Sequence, residues 1–139
     1  MIDTSIAAWN NFVMKSGLED HPAGSEKRAA AVVAQFWAAA NNGGFYSALD
    51  CTPQVAADEI LSALSKMGAT SAADQLRAVL MAIGIPLPEM SSEQRSSALL
   101  ENWPESLDDS DVLSGESDKQ IQDVLERHVT LHEADYLAL

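Results

Sequence analysis

The chain has 139 residues, 21 of them acidic and 8 basic, and a formal net charge of −13 at neutral pH. This length suits one ordinary domain, and an apolar fraction of 47% is enough for a core, which excludes wholesale disorder. The charge argues against direct binding to nucleic acid or anionic membranes, because phosphate contacts need Lys and Arg. Cys51 is the single cysteine, which excludes an intrachain disulfide. The single cysteine and an N-terminus that lacks the basic start of a signal peptide together predict a cytoplasmic protein.

The first two elements in chain order are helices. Asp3 or Thr4 can cap the first helix, which carries an apolar stripe and ends near Gly17. The second helix is predicted over residues 26–41. It is rich in alanine and apolar nearly all round, which indicates the centre of the fold. The string Asn42-Gly43-Gly44 is expected to end it.

A helical hairpin is predicted next. Thr52-Pro53 combines a capping residue with proline at the first helical position, so it marks the start of the third helix. Gly68 ends that helix, and Thr70 or Ser71 begins the fourth, which ends at Gly84. The connection is so short that the two helices must lie antiparallel, as in a standard helical hairpin.

The second half of the chain continues the helical pattern. An extended linker at residues 85–88 contains two prolines, and Ser91 or Ser92 caps a fifth helix that stops before Trp103-Pro104. The last helix is predicted over residues 118–137, with His128 on its apolar face. No strand-length alternation or repeat is present. The sequence therefore predicts an all-α protein, a compact single domain of six or seven helices around the central hairpin.

Acidic residues are concentrated in the C-terminal third. Residues 89–139 carry thirteen acidic and three basic residues, and residues 101–118 contain seven acids and no base. Some of the acids are paired at helical spacing: Glu101 with Glu105, Asp108 with Asp111, and Asp123 with Glu126. In a helix this spacing places the side chains roughly 5–6 Å apart, and each like-charge pair destabilises the helix by about 0.2–0.5 kcal/mol. A cost of this kind indicates a use as a binding surface. The alternative is a solvated acidic rim that keeps the protein soluble.

A family resemblance rests on motifs spread over residues 26–137. They are Asn42-Gly43-Gly44-Phe45, the Ala-Leu-Ser-Lys-Met-Gly-Ala string of the hairpin that contains Gly68, Leu76, the proline linker, Arg95, Leu107-Asp108-Asp109 and Tyr136-Leu137. In this register the chain resembles the bacterial DNA-mimic protein family. Residues 1–24 would precede the family-like core as an N-terminal helix and linker, and residues 25–139 would form that core. Ser47 departs from the family pattern, which usually has glutamine there.

The resemblance implies an all-helical domain, often a homodimer, whose acidic surface imitates duplex DNA for a DNA-binding protein. DNA carries one negative charge per ~1.7 Å of its axis, so imitation needs rows of carboxylates. The partner would be a basic transcription regulator or nucleoid protein. The expected phosphate surrogates are Glu101, Glu105, Asp108, Asp109, Asp111, Glu116, Asp118, Asp123 and Glu126.

Two other functions stay open. The chain could be an immunity or regulatory subunit that neutralises a basic toxin or enzyme. His128 and His132 lie one helical turn apart, a spacing that can share a metal ion, so a metal-dependent enzyme is a weaker alternative. The acidic residues of the known zinc-protease patterns are missing, however, and a buried histidine bonded to the backbone is the simpler interpretation of His128. We therefore predict no enzyme activity, no cofactor and no metal.

Overall fold

The computed structural model describes residues 3–15, 21, 25–50, 57–84, 92–104 and 113–138. These residues form helices and contain no strand, so the all-α prediction is confirmed. The helices are α1 (Asp3–Lys15), α2 (Glu26–Asp50), α3 (Ala57–Met67), α4 (Thr70–Ile83), α5 (Ser92–Asn102), α6 (Gly115–Leu131) and α7 (Glu133–Leu137). Within this part of the chain, no helix is both long and apolar enough to cross a membrane.

The α2 helix contains a sharp internal kink. Gly43 has φ −153° and ψ 20°, and Gly44 has φ 75° and ψ −167°. The positive φ of Gly44 is accessible to glycine but strained for other residues. The interruption is where the sequence predicts it. The predicted end of the first helical segment is confirmed by this break, whereas the helical segment that follows over residues 45–50 was not predicted. Phe45, fully buried, packs on Phe36 with ring centroids 6.1 Å apart, and this contact with the core favours the second segment.

The α3–α4 hairpin has the predicted turn. Gly68 has φ 89°, its N–H donates to the Ser65 carbonyl at 3.1 Å, and the next N–H donates to the Leu64 carbonyl at 2.8 Å. Gly84 ends α4 with φ 74°, and its N–H donates to the Leu80 carbonyl. Glycine is favoured at both ends because left-handed backbone is strained for residues with a Cβ. The predicted start at Thr52-Pro53, the proline linker and Ser91 lie outside the described residues.

The core lies where α2 and α6 meet the other helices. The α2 helix contacts α3, α5 and α6, whereas α6 also contacts α1, α3, α4 and α7. Ala30 of α2 is fully buried and belongs to the same core cluster as Val33 and Phe36. Small side chains let the helix backbones approach closely, which agrees with the prediction that this helix is central.

The predicted single last helix is wrong, because the structure has a break at His132. Ser114 caps α6 through its hydroxyl, which accepts from the Ser117 N–H at 3.1 Å, so the helix starts before residue 118. His132 then has φ −113° and ψ 27°, and α7 begins after it. The break turns Tyr136 back into the core, where its carbonyl accepts from the Asn11 side-chain amide at 2.9 Å. Packing against α1 thus overrides the continuous helical pattern.

Candidate functional site

The predicted acidic surface is described only in part. Glu105, Asp108, Asp109 and Asp111 lie outside the described residues. Glu101 lies exposed near the end of α5. The other four predicted acids lie on α6, where they have different surroundings: Glu116, Asp118, Asp123 and Glu126.

The outward face of α6 is acidic but carries basic residues as well. Glu116 and Asp123 are exposed, and Glu126 is half-buried and accepts from the Gln122 amide at 3.2 Å. Lys119 Nζ lies 4.0 Å from Asp123 Oδ2, both largely exposed. A surface pair of this kind contributes little to stability, so it leaves Asp123 free to exchange partners.

Asp118 differs from the other predicted acids because it faces the core. Its Oδ1 accepts from the Trp37 indole N–H at 2.7 Å, and the carboxylate is only half exposed. Trp37 in turn lies edge-on to Trp9, with ring centroids 6.3 Å apart. The carboxylate therefore joins α6 to α2, a role that helical spacing alone does not indicate because the two partners are 81 residues apart.

The α5 helix separates its charges by sign. Its basic residue, Arg95, is 3% exposed, and burial lowers the pKa of this guanidinium while the charge of Asp50 opposes the change. Glu93 and Glu101 are both exposed. They are eight residues apart, which is roughly 12 Å along a helix. Glu93 is not among the predicted surface acids, although its spacing of about two turns from Glu101 indicates a shared side of the helix.

The Asn-Gly-Gly-Phe motif has a structural role. Asn42 and Gly43 are exposed at the kink of α2, whereas Gly44 and Phe45 are buried. Just after α5, Trp103 is half-buried and lies edge-on to Tyr46, with ring centroids 5.0 Å apart. The motif therefore positions the segment of α2 that packs against the residues following α5.

A second candidate site joins the start of α2 to the break between α6 and α7. Each of Glu26, His128 and His132 offers a ligand atom, and these atoms all lie within 4.8 Å of one another. Glu26 Oε1 is 3.4 Å from His128 Nδ1, and Glu26 Oε2 is 3.5 Å from His132 Nε2. The two imidazole centroids are 4.6 Å apart. We refer to these three residues as the Glu-His-His cluster.

His128 is buried, as its position on the apolar face predicts, but the expected backbone partner is wrong. Its Nε2 lies 2.7 Å from the Tyr136 hydroxyl, and its Nδ1 faces Glu26. Burial lowers the pKa of His128 despite the opposing effect of Glu26, and it raises the pKa of Tyr136 to about 12. The hydrogen bond from His128 lowers the pKa of Glu26. At neutral pH the cluster therefore combines a carboxylate with a neutral buried imidazole beside a neutral phenol.

Two further charged residues border the cluster. Asp135 Oδ2 lies 3.7 Å from His132 Nδ1, and Lys27 Nζ lies 2.9 Å from the same oxygen. The hydrogen bond with Lys27 lowers the pKa of Asp135, so this carboxylate is ionised at neutral pH. The helical spacing of the two histidines indicates that they lie together, but nothing local in the sequence indicates Glu26, which is separated from His128 by 102 residues.

Comparison with known proteins finds one family. The family model described as DMP19-like protein matches residues 24–138, which include the Asn-Gly-Gly-Phe motif and all nine predicted acids. Neither curated proteins nor solved structures give a significant match.

Proposed function

The chain belongs to the DMP19-like protein family, and we propose on that basis that it is a binding module whose acidic surface takes the place of DNA on a basic protein. The family supports a DNA-mimic role and is generally non-enzymatic. The observation that carries the proposal is this match over residues 24–138 in a chain of net charge −13. The partner we propose is a transcription regulator or a nucleoid protein in the cytoplasm.

The arrangement of charge on α5 and α6 supports this function. Arg95 is buried while Glu93 and Glu101 face solvent, so the exposed charges of α5 are acidic. Glu116 and Asp123 add exposed carboxylates on α6. A field of this sign accelerates encounter with a basic surface and selects against acidic partners. We assign the acids between residues 105 and 111 to the same proposed surface. We also propose a homodimer, which would present two such surfaces.

The test begins with capture of partners by the full-length protein from a lysate of the source organism at low salt. Bound proteins are then challenged with duplex DNA and, separately, with rising salt. A DNA mimic holds its partner at the DNA-binding surface, so duplex DNA must release the partner, and the purified partner must lose DNA binding when the protein is added. Salt weakens such a complex because the Debye length falls from roughly 10 Å at 0.1 M to roughly 3 Å at 1 M.

Two variants with the same net charge locate the surface. The surface variant replaces Glu101 and Glu116 by glutamine, and the control variant replaces Asp58 and Asp74 by asparagine; all four side chains are exposed. Each lost contact near water is worth on the order of 1 kcal/mol, so we expect the surface variant to bind the partner about tenfold more weakly or worse. The control variant should bind nearly as the natural protein does.

Equal weakening by both variants would show that net charge, and not this surface, determines binding. A captured enzyme or toxin that duplex DNA does not release would favour the immunity-subunit alternative and contradict mimicry. Size-exclusion chromatography with light scattering tests the homodimer separately, and a monomer at the concentration of the binding assay would remove it from the proposal.

A further inference from the structure

We propose that the Glu-His-His cluster is a binding site for a transition-metal dication of the Zn²⁺ class. Glu26, His128 and His132 would supply one ligand atom each. The site would join the first turn of α2 to the α6–α7 break, and none of its three ligands is among the predicted phosphate surrogates. It is independent of the DNA-mimic function.

The distances in the cluster suit a shared metal ion, and the contacts of both histidines with Glu26 are long for hydrogen bonds. Zn–N and Zn–O bonds are about 2.0–2.1 Å long, and the tetrahedral arrangement then separates neighbouring ligand atoms by roughly 3.3–3.4 Å. Glu26 Oε1 lies 3.4 Å from His128 Nδ1, and Glu26 Oε2 lies 3.5 Å from His132 Nε2. Well-formed N–H···O hydrogen bonds are shorter, about 2.7–3.2 Å. All three ligand atoms lie within 4.8 Å of one another, and the Glu26 side chain is 54% exposed.

His128 has a hydrogen-bonded outer partner of the kind that metal ligands usually need, and His132 has a carboxylate nearby. A metal on Nδ1 of His128 leaves the ring proton on Nε2, where the Tyr136 hydroxyl is 2.7 Å away and can accept it. A metal on Nε2 of His132 leaves the proton on Nδ1, which faces Asp135 Oδ2 at 3.7 Å. Lys27 holds that carboxylate at 2.9 Å. The Tyr136 hydroxyl thus orients the His128 ring with Nδ1 towards Glu26, and Asp135 lies on the Nδ1 side of His132.

The position of the histidines in the backbone supports the same inference. The two imidazoles, one helical turn apart, lie 4.6 Å from each other, and α6 ends just before His132. His128 is nearly fully buried, whereas His132 and Glu26 have side-chain exposures of 29% and 54%. One side of the site is therefore rigid, and the other gives an ion access from solvent.

The ligand set determines which metals fit. Imidazole nitrogens with one carboxylate oxygen suit Zn²⁺, Co²⁺ and Ni²⁺, whereas Mg²⁺ and Ca²⁺ prefer sets made of oxygen. Three protein ligands leave at least one position for water or for a group from a partner. Because the ligands come from α2 and α6 and its C-terminal boundary, a bound ion would stabilise the folded chain in proportion to its occupancy.

The experiment titrates the full-length, chelator-stripped protein with Zn²⁺ by calorimetry and with Co²⁺ by visible absorption. We expect one ion per chain, the absorption bands of a low-symmetry Co²⁺ site, loss of those bands when Zn²⁺ is added, and a Tm that rises with Zn²⁺ concentration. The two test variants are His132→Ala and Glu26→Gln, because both residues are partly exposed and their replacement spares the core. His21→Ala is the matched control, since it removes the one histidine outside the cluster.

Each test variant should lose at least tenfold in Zn²⁺ affinity and lose the Co²⁺ bands, while His21→Ala behaves as the natural protein does. Far-UV circular dichroism and the metal-free Tm establish that each variant is folded. Stoichiometric Zn²⁺ binding that survives both His132→Ala and Glu26→Gln would overturn the assignment, and so would the absence of binding by the natural protein at micromolar Zn²⁺. Loss of Zn²⁺ binding should leave partner capture unchanged, so failure here is separate from failure of the proposed mimicry.

Discussion

The hydrogen bond between Tyr136 and His128 allows a prediction in metal-free protein. Tyr136 is 2% exposed, and its ring lies edge-on to Phe12 at 5.1 Å. Tyr136→Phe keeps this packing and removes only the hydroxyl, which lies 2.7 Å from His128 Nε2. The imidazole nitrogen is then buried without its partner, which costs about 1–3 kcal/mol. We expect a loss of about 2 kcal/mol in the free energy of unfolding.

Urea denaturation followed by circular dichroism, with a chelator present, measures this loss. With an m-value of about 2 kcal/mol/M, the midpoint should fall by about 1 M at an unchanged slope. Tyr46→Phe is the matched control. Tyr46 is half-buried against Trp103 and forms no hydrogen bond through its hydroxyl with the described residues, so its loss should cost less than about 0.5 kcal/mol.

The same substitution in a second background tests the cause. In a His128→Leu protein, the Tyr136 hydroxyl is the group that is left without a partner. Tyr136→Phe in this background should therefore leave the free energy of unfolding unchanged or raise it, because loss of both partners is far less costly than loss of one. An equal cost of Tyr136→Phe in both backgrounds would refute the hydrogen-bond argument. So would a cost below about 0.5 kcal/mol in the natural protein.

Two further predictions concern a single contact and a turn. Trp37→Phe removes the indole N–H that donates to Asp118, and we expect it to lower the free energy of unfolding by about 1–2 kcal/mol in the same denaturation assay. An unchanged midpoint would contradict the conclusion that this carboxylate joins α6 to α2. Gly68→Ala should cost about 1–2 kcal/mol, because φ is +89° there, whereas Gly115→Ala should change stability by less than about 0.5 kcal/mol. A Cβ meets nothing within 4 Å at either glycine, so equal effects would show that backbone conformation is not the cause.

Prediction from the sequence succeeded where the decisive interactions are local. Gly68 and Gly84 end their helices because a left-handed residue satisfies the last carbonyls, and this depends on neighbours within one turn. The same holds for the interruption at Gly43 and Gly44. Local signals failed to indicate the helical segment that begins after this stop, at Phe45, and they failed at His132, where packing breaks a continuous helical pattern.

The amino-acid sequence is sufficient to predict the helical class, the helix boundaries marked by glycine and the acidity of the C-terminal third. Which charged groups face solvent and which face one another became evident only from the packing of the helices. Arg95 is buried, Asp118 turns towards Trp37, and Glu26 meets His128 across 102 residues. The physical reason is that periodicity defines faces within one helix, whereas the meeting of two faces depends on how apolar surfaces from distant parts of the chain are buried together.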